Sequence, residues 1–121
     1  MADLIKQLSD AAVDLLIRLI KTPSYSREET DTATMIQAFL EAHNVRAQRQ
    51  KNNVWAVSKH FDAAKPTILL NSHHDTVKPG DGWKYDPFGA TLEGDKLIGL
   101  AEVAAAGDAA VDAVVLLFGV A

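Results

Sequence analysis

The chain has no cysteine, which excludes disulfides, thiolate nucleophiles and cysteine-bound zinc from its chemistry. It lacks a basic excess: 12 Lys+Arg stand against 16 Asp+Glu, a net charge of −4. Neither nucleic acid nor an anionic membrane attracts such a surface, so neither is expected as a partner. A basic start followed by an apolar run and a small-residue cleavage site is also missing, because Met1 leads into a mixed segment with Asp3, Lys6 and Asp10. The longest uncharged run of the C-terminal stretch, residues 113–121, is too short to span a bilayer. No Gly-X-Ser-X-Gly elbow occurs, which disfavours a serine hydrolase built on Ser24 or Ser72. What is there is 121 residues, 48% of them hydrophobic. That length suits one domain and is enough to bury roughly two-thirds of the unfolded surface. The expectation is a soluble, cytoplasmic protein.

Hydrophobic periodicity predicts a first helix over residues 3–21, with Leu4, Leu8, Ala12, Leu15, Leu16 and Leu19 on one face and Lys6, Asp10, Asp14 and Arg18 opposite. Pro23 ends it, because the residue before a proline is pushed out of helical geometry. Ser26-Arg27-Glu28-Glu29 predicts a capping box, in which Ser26 and Glu29 cover orphan N–H groups of a second helix. That helix is expected to reach about His43 and to bury Met35, Ile36, Phe39 and Leu40. Val54-Trp55-Ala56-Val57 and Thr67-Ile68-Leu69-Leu70 then read as strands, with residues 45–50 a further candidate and turns at Asn52-Asn53 and Ala64-Lys65-Pro66. The run from Ile68 to Leu70 lacks alternation, as a central strand covered on both faces would. A loop over residues 78–89 leads to a hairpin of Thr91-Leu92 and Leu97-Ile98 around Glu93-Gly94-Asp95-Lys96. The predicted class is α/β, with helices packed on a mixed, centrally apolar sheet.

Residues 101–121 differ in composition, and a buried, alanine-rich helix is expected from near Asp108. Residues 101–115 use only Ala, Val, Gly, Asp and Glu, whose codons all begin with G, a pattern that points to an altered coding frame or a sequence error.

The chemistry concentrates in Asn71-Ser72-His73-His74-Asp75-Thr76-Val77, directly after the apolar run. The carboxyl end of a central strand is where open α/β sheets bind ligands. Extended geometry puts His73 and Asp75 on one face and His74 on the other. A neutral imidazole can bind a metal while a neighbouring carboxylate accepts its other ring N–H, which fixes the tautomer. A pair of loop histidines in a hydrogen-bonded turn accounts for the same residues without chemistry, and both readings stand at this point.

Ser72-His73-His74-Asp75-Thr76-Val77-Lys78-Pro79, followed by Trp83, by Asp86-Pro87-Phe88 and by Gly99 after a hairpin, resembles the zinc-dependent aminoacylase/carboxypeptidase family. Thr22-Pro23-Ser24-Tyr25-Ser26 and Glu28-Glu29 resemble the opening of the same family, and the double histidine is most like its acetylornithine deacetylase branch. The resemblance covers residues 4–100. It implies a hydrolase with two zinc ions, or cobalt or another divalent metal, that removes an acyl group from an N-acyl amino acid. It implies that His73 is a metal ligand, that Asp75 clamps its ring and is catalytic, and that His74 is no ligand. Trp83, Asp86 and Phe88 then belong to loop packing.

After Gly99 the family has Gly-X-X-Asp, whose Asp bridges both metals. Read without a gap, Ala101 and Ala104 fall at those positions; a four-residue insertion instead matches Gly107-Asp108-Ala109-Ala110 and makes Asp108 the ligand. The family's paired glutamates, its remaining ligands and the domain through which it forms homodimers have no counterpart here. The implied organisation is therefore a single N-terminal part of a metallohydrolase catalytic domain, family-like over residues 1–100 and atypical over 101–121. A different class of reading follows for the polypeptide alone: a catalytically inactive piece, at most a weak metal-binding module.

Overall fold

The computed structural model describes residues 1–100. Its elements, in order, are α1 (Ala2–Lys21), α2 (Thr30–Ala42), β1 (Ala47–Gln50), β2 (Asn53–Ala56), β3 (Thr91–Glu93) and β4 (Lys96–Ile98). The α/β class expected from the sequence is the class observed. No helix among the described residues is long and apolar enough to cross a membrane.

Helix α1 follows the predicted periodicity but uses its apolar face unevenly. Leu15 and Ile20 are buried, whereas Leu4, Ile5 and Leu8 on the first half remain exposed. The helix stops where Thr22 turns to extended geometry (φ −108°, ψ 106°) ahead of Pro23, and the Thr22 hydroxyl donates to the Arg18 carbonyl at 2.8 Å.

The capping box is the first correction. Glu29 itself occupies the N-cap of α2, with no side-chain cap hydrogen bond, and the helix starts at Thr30. One Glu29 carboxylate oxygen instead accepts the Arg27 N–H at 2.8 Å and the other accepts from the Asn52 amide at 3.0 Å, while the Ser26 hydroxyl is drawn to Asp75. Tertiary acceptors compete successfully with the local caps because each such hydrogen bond contributes about as much as a cap, roughly 1 kcal/mol. At its other end α2 closes in a Schellman arrangement: Asn44 is left-handed (φ 59°), its N–H reaches the Glu41 carbonyl at 3.1 Å, and the Val45 N–H reaches the Leu40 carbonyl at 2.9 Å.

That turn delivers the chain into the β1–β2 hairpin, antiparallel with Ala47 opposite Ala56 and Gln50 opposite Asn53. Ile36, Leu40 and Ala56 form the core where α2 lies on the hairpin, flanked by Leu19, Val45, Ala47 and Val54. Of the four core residues expected on α2, Ile36 and Leu40 are buried; Met35 and Phe39 are half-buried, and Thr32 and Ala33 take the buried places nearer the start.

The predicted central strand is the second correction. Residues 67–70 join neither sheet, and Ile68, Leu69 and Leu70 are 50%, 66% and 45% exposed. A strand exists only through its neighbours, and among the described residues the two sheets, β1–β2 and β3–β4, are two-stranded antiparallel pairs that do not include this segment. The segment instead touches the rest of the fold further on, where Thr76 makes an isolated parallel bridge with Tyr25. Among the described residues the strands thus form two separate hairpins rather than one mixed sheet with an apolar centre.

The β3–β4 hairpin forms as expected, Thr91 opposite Ile98 and Glu93 opposite Lys96, with Gly94 at φ 63° in its turn. It docks on α1 through Gly99, where an added Cβ would lie 2.5 Å from the buried Ile20 side chain; only glycine permits that approach. The expectations for Ala101, Ala104, Asp108 and the helix near it lie outside the described residues.

Candidate functional site

The segment carrying His73 and Asp75 is held by the α1–α2 linker rather than by a sheet. The Thr76 N–H donates to the Ser24 carbonyl at 2.8 Å, and the buried Ser24 hydroxyl donates to the His74 carbonyl at 2.8 Å. Between these anchors the side chains alternate as extended geometry requires. His73 and Asp75 meet on one side, Nδ1 to Oδ1 at 2.6 Å, with the His73 side chain 45% exposed. The Ser26 hydroxyl donates to the other carboxylate oxygen, Oδ2.

This Ser26–Asp75–His73 chain has a definite electrostatic sense. The Ser26 hydrogen bond is the largest influence on Asp75 and holds its carboxyl below the ordinary 3.8; partial burial opposes it, and the His73 ring adds to the lowering. An ionised carboxylate can only accept, so His73 carries a proton on Nδ1, and in the neutral ring the lone pair is on Nε2. That is the tautomer in which an imidazole binds a metal through Nε2.

His74 turns the opposite way and is partly buried. Its Nε2 lies 2.9 Å from the Asn52 carbonyl and its Nδ1 lies 2.8 Å from the Thr32 hydroxyl. The carbonyl accepts only, so His74 carries a proton on Nε2, and its Nδ1 shares a hydrogen bond with the Thr32 hydroxyl. Both nitrogens are therefore spent on joining the segment to α2 and to the β1–β2 turn. His74 is a strut between the segment, α2 and the β1–β2 turn.

The β1–β2 turn is fastened to the start of α2 by further bonds. Arg49 donates to the Thr34 hydroxyl at 2.8 Å and to the Lys51 carbonyl at 2.7 Å, and Asn52 donates to Glu29. Between this turn, the linker and the 69–75 segment lies a cleft of about 560 Å³, with His73 and Asp75 in its wall.

No family model matches the chain. Curated relatives do match. A succinyl-diaminopimelate desuccinylase of Blochmanniella floridana is 30% identical over 94 residues, covering 72% of this chain and 24% of the relative. A protein of the same name from Beijerinckia indica is 28% identical over 103 residues, 76% of this chain and 26% of the relative. A probable carboxypeptidase of Emericella nidulans is 35% identical over 83 residues, 61% of this chain and 19% of the relative. These similarities support an aminoacylase/peptidase family. They do not single out acetylornithine deacetylase within it. The chain spans about a quarter of the length of the two desuccinylases and less of the carboxypeptidase.

Set against the metal such a family implies, the described residues fit one ligand and its support: an imidazole whose tautomer and orientation are set by a carboxylate. Among the described residues no group of three His, Cys, Asp or Glu side chains gathers around one point. Asp108, the other expected ligand, lies outside them. Of the expected packing residues, Phe88 meets Tyr25 edge-on at 6.4 Å between ring centres, Asp86 caps its own turn through the Phe88 N–H, and Trp83 is exposed.

Ser26, Thr32, Asn52 and Ser24 were not singled out for the site by the sequence. Ser26 lies 49 positions from Asp75, and Thr32 lies 42 from His74. No periodicity links residues so far apart. The sole local signal was the polar linker itself, and it read as a helix cap.

Proposed function

We propose that this chain is the N-terminal part of the catalytic domain of a metal-dependent amidohydrolase that removes the acyl group from an N-acyl amino acid. The single observation that carries the reading is the 2.6 Å contact between His73 Nδ1 and Asp75 Oδ1, with Ser26 on the second carboxylate oxygen. That arrangement presents Nε2 as a ligand atom and holds the ring still. The relatives' names support the same class, since a desuccinylase and a carboxypeptidase both break an amide bond.

His73 would hold the metal, with Asp108 as a second ligand and Asp75 as the group that orients His73. A bound divalent ion, zinc or cobalt, supplies Lewis acidity and a more acidic water at such a site. The chain's own contribution is to fix one imidazole, to keep its proton on Nδ1, and to wall one side of the cleft. Acetylornithine is the finer substrate reading, carried by the His73-His74-Asp75-Thr76-Val77-Lys78-Pro79 run; the protein would act in the cytoplasm and form homodimers through a region outside this chain.

For the 121 residues by themselves a second reading is favoured by the absence of a three-ligand group among the described residues. They bind zinc weakly and hydrolyse nothing, because even a single catalytic zinc usually has three protein ligands. The test is hydrolysis of acetylornithine, succinyl-diaminopimelate and other N-acyl amino acids by an extended gene product, with and without zinc, beside calorimetric zinc titration of the 121-residue chain. Metal-dependent turnover in the extended form that disappears in His73→Ala is the expected result. Metal-independent turnover, or wild-type zinc stoichiometry in His73→Ala, overturns the assignment. Submicromolar binding of two zinc ions with turnover by the 121 residues overturns the second reading.

A further inference from the structure

Ser26-Arg27-Glu28-Glu29 carries a whole capping-box pattern that the structure leaves unused. Helix α2 begins at Thr30, and Glu29 at its N-cap makes no side-chain cap hydrogen bond. The two side chains that a capping box needs are spent elsewhere. The Ser26 hydroxyl donates to Asp75, and the Glu29 carboxylate accepts from the Arg27 N–H and from the Asn52 amide.

Arg27, between them, bears the cost. It sits in the left-handed region at φ 74°, where a side chain crowds the backbone and which a non-glycine residue occupies when its surroundings enforce it. In the capped alternative Ser26 accepts the Glu29 N–H and Glu29 accepts the Ser26 N–H. Arg27 is then the first helical residue, with an ordinary negative φ, and α2 begins three residues earlier. One φ at Arg27 cannot serve both arrangements. They are also closely matched: the observed one has long-range hydrogen bonds to Asp75 and Asn52, and the alternative has local bonds of similar worth and no crowding at Arg27.

We infer that residues 26–29 form a two-state element, in which Ser26 either holds Asp75 or caps an α2 that starts at Arg27, so that the placement of Asp75 and the length of α2 are coupled. The structure shows the first state. Drawing Asp75 away from Ser26 releases Arg27 into the helix, and a helix made to begin at Arg27 takes Ser26 from Asp75. His73 shares in this, because its Nδ1 lies 2.6 Å from Asp75 Oδ1. The coupling needs no metal and does not rest on the function proposed above.

The test perturbs each end and reads the other, in the 121-residue chain labelled with carbon-13 and nitrogen-15 and kept in chelator. D75A removes the acceptor of Ser26. The Cα resonances of residues 27–29 should then move to helical values, and the Thr30 and Asp31 amides should exchange more slowly, since an earlier helix start supplies their acceptors. S26A added to D75A should lower the helical population ratio of residues 27–29 roughly fivefold, the worth of a typical N-cap. R27G added to D75A should return the turn to the parent's shifts, because glycine adopts φ 74° freely and is poor in a helix. From the other end, R27P locks φ near about −65° and suits a first helical position, so Ser26 should leave Asp75 and the His73 and Asp75 resonances should move. R27G alone should leave them in place. Parent-like amide dispersion over α1 and the β1–β2 hairpin identifies folded variants, and R27P carries the test if D75A does not fold. Parent-like shifts at residues 27–29 in folded D75A, or parent-like His73 and Asp75 resonances in folded R27P, overturn the inference.

Discussion

Val54-Trp55-Ala56 and Ile68-Leu69-Leu70 are both short apolar runs, yet they end in opposite situations. The first pairs with β1, and Ala56 enters the core against Ile36 and Leu40. The second pairs with nothing among the described residues, and Leu69 is 66% exposed. The difference is the availability of a partner. Two residues separate β1 from β2, so the hairpin closes at little entropic cost and lands on α2, which the Asn44 turn has already brought alongside. Residues 67–70 have no strand so near in sequence. Only beyond them, where Thr76 meets Tyr25 and Ser24 meets His74, is the chain fastened again. The candidate site therefore stands on a segment secured by side chains and linker bonds, beside a unit secured by packing.

The sharpest break of this comparison is His73→Ala. If the site segment serves chemistry and the packed unit serves stability, the substitution abolishes metal-dependent hydrolysis in any active form carrying this sequence and leaves the fold largely intact. Turnover assays beside thermal unfolding check both halves. A collapse in stability with hydrolysis retained would place His73 in the framework instead.

Next in size is the contrast between Leu40→Ala and Leu69→Ser. Leu40 is 3% exposed, and its truncation should cost about 2–5 kcal/mol. Leu69 should cost less than about 0.5 kcal/mol, as exposed positions do. Urea unfolding of the two variants measures the difference; equal losses would mean that residues 67–70 are packed after all.

His74→Ala should fall between these, at about 1–3 kcal/mol, because it leaves the Asn52 carbonyl and the Thr32 hydroxyl without their ring partner. Its amide resonances near Asn52 and Thr32 should move together, since one strut joins both. A variant as stable as the parent would show that the linker bonds through Ser24 are enough to hold the segment.

The smallest effect belongs to the Ser26–Asp75 contact and is read through pH. Asp75 titrates below its ordinary 3.8 in the folded chain, so its contribution to stability is present above that value and is lost as pH falls through the lower folded one. Ser26→Ala removes the main cause and should raise the Asp75 titration toward the ordinary value, which carboxyl carbon shifts follow directly. A midpoint that stays in place would assign the lowering to His73.

Much of this was legible from residue order. Helix α1 needed only the spacing of its leucines, and both hairpins were marked by short apolar runs and by turn residues at Asn52 and Gly94. His73 and Asp75 could be placed on one face because alternation is a property of any extended chain, whether or not it lies in a sheet. The capping box misled because Ser26 and Glu29 match a local pattern, while their actual partners, Asp75 and Asn52, lie 49 and 23 positions away.

The sequence by itself determined the elements whose forces are local: helices set by a 3.6-residue period, hairpins closed over two-residue turns, and an imidazole and a carboxylate two residues apart. The tertiary structure alone decided which polar groups those elements spend on one another. It turned Ser26 from a cap into the anchor of Asp75, made His74 a strut, joined the turns of Arg27 and Lys51 through Glu29, and left residues 67–70 outside both sheets. The physical reason is range. Periodicity and capping act over three or four residues, whereas the hydrogen bonds around His73 close loops of 20 to 50 residues, and their partners exist only once α2 and the β1–β2 hairpin have packed.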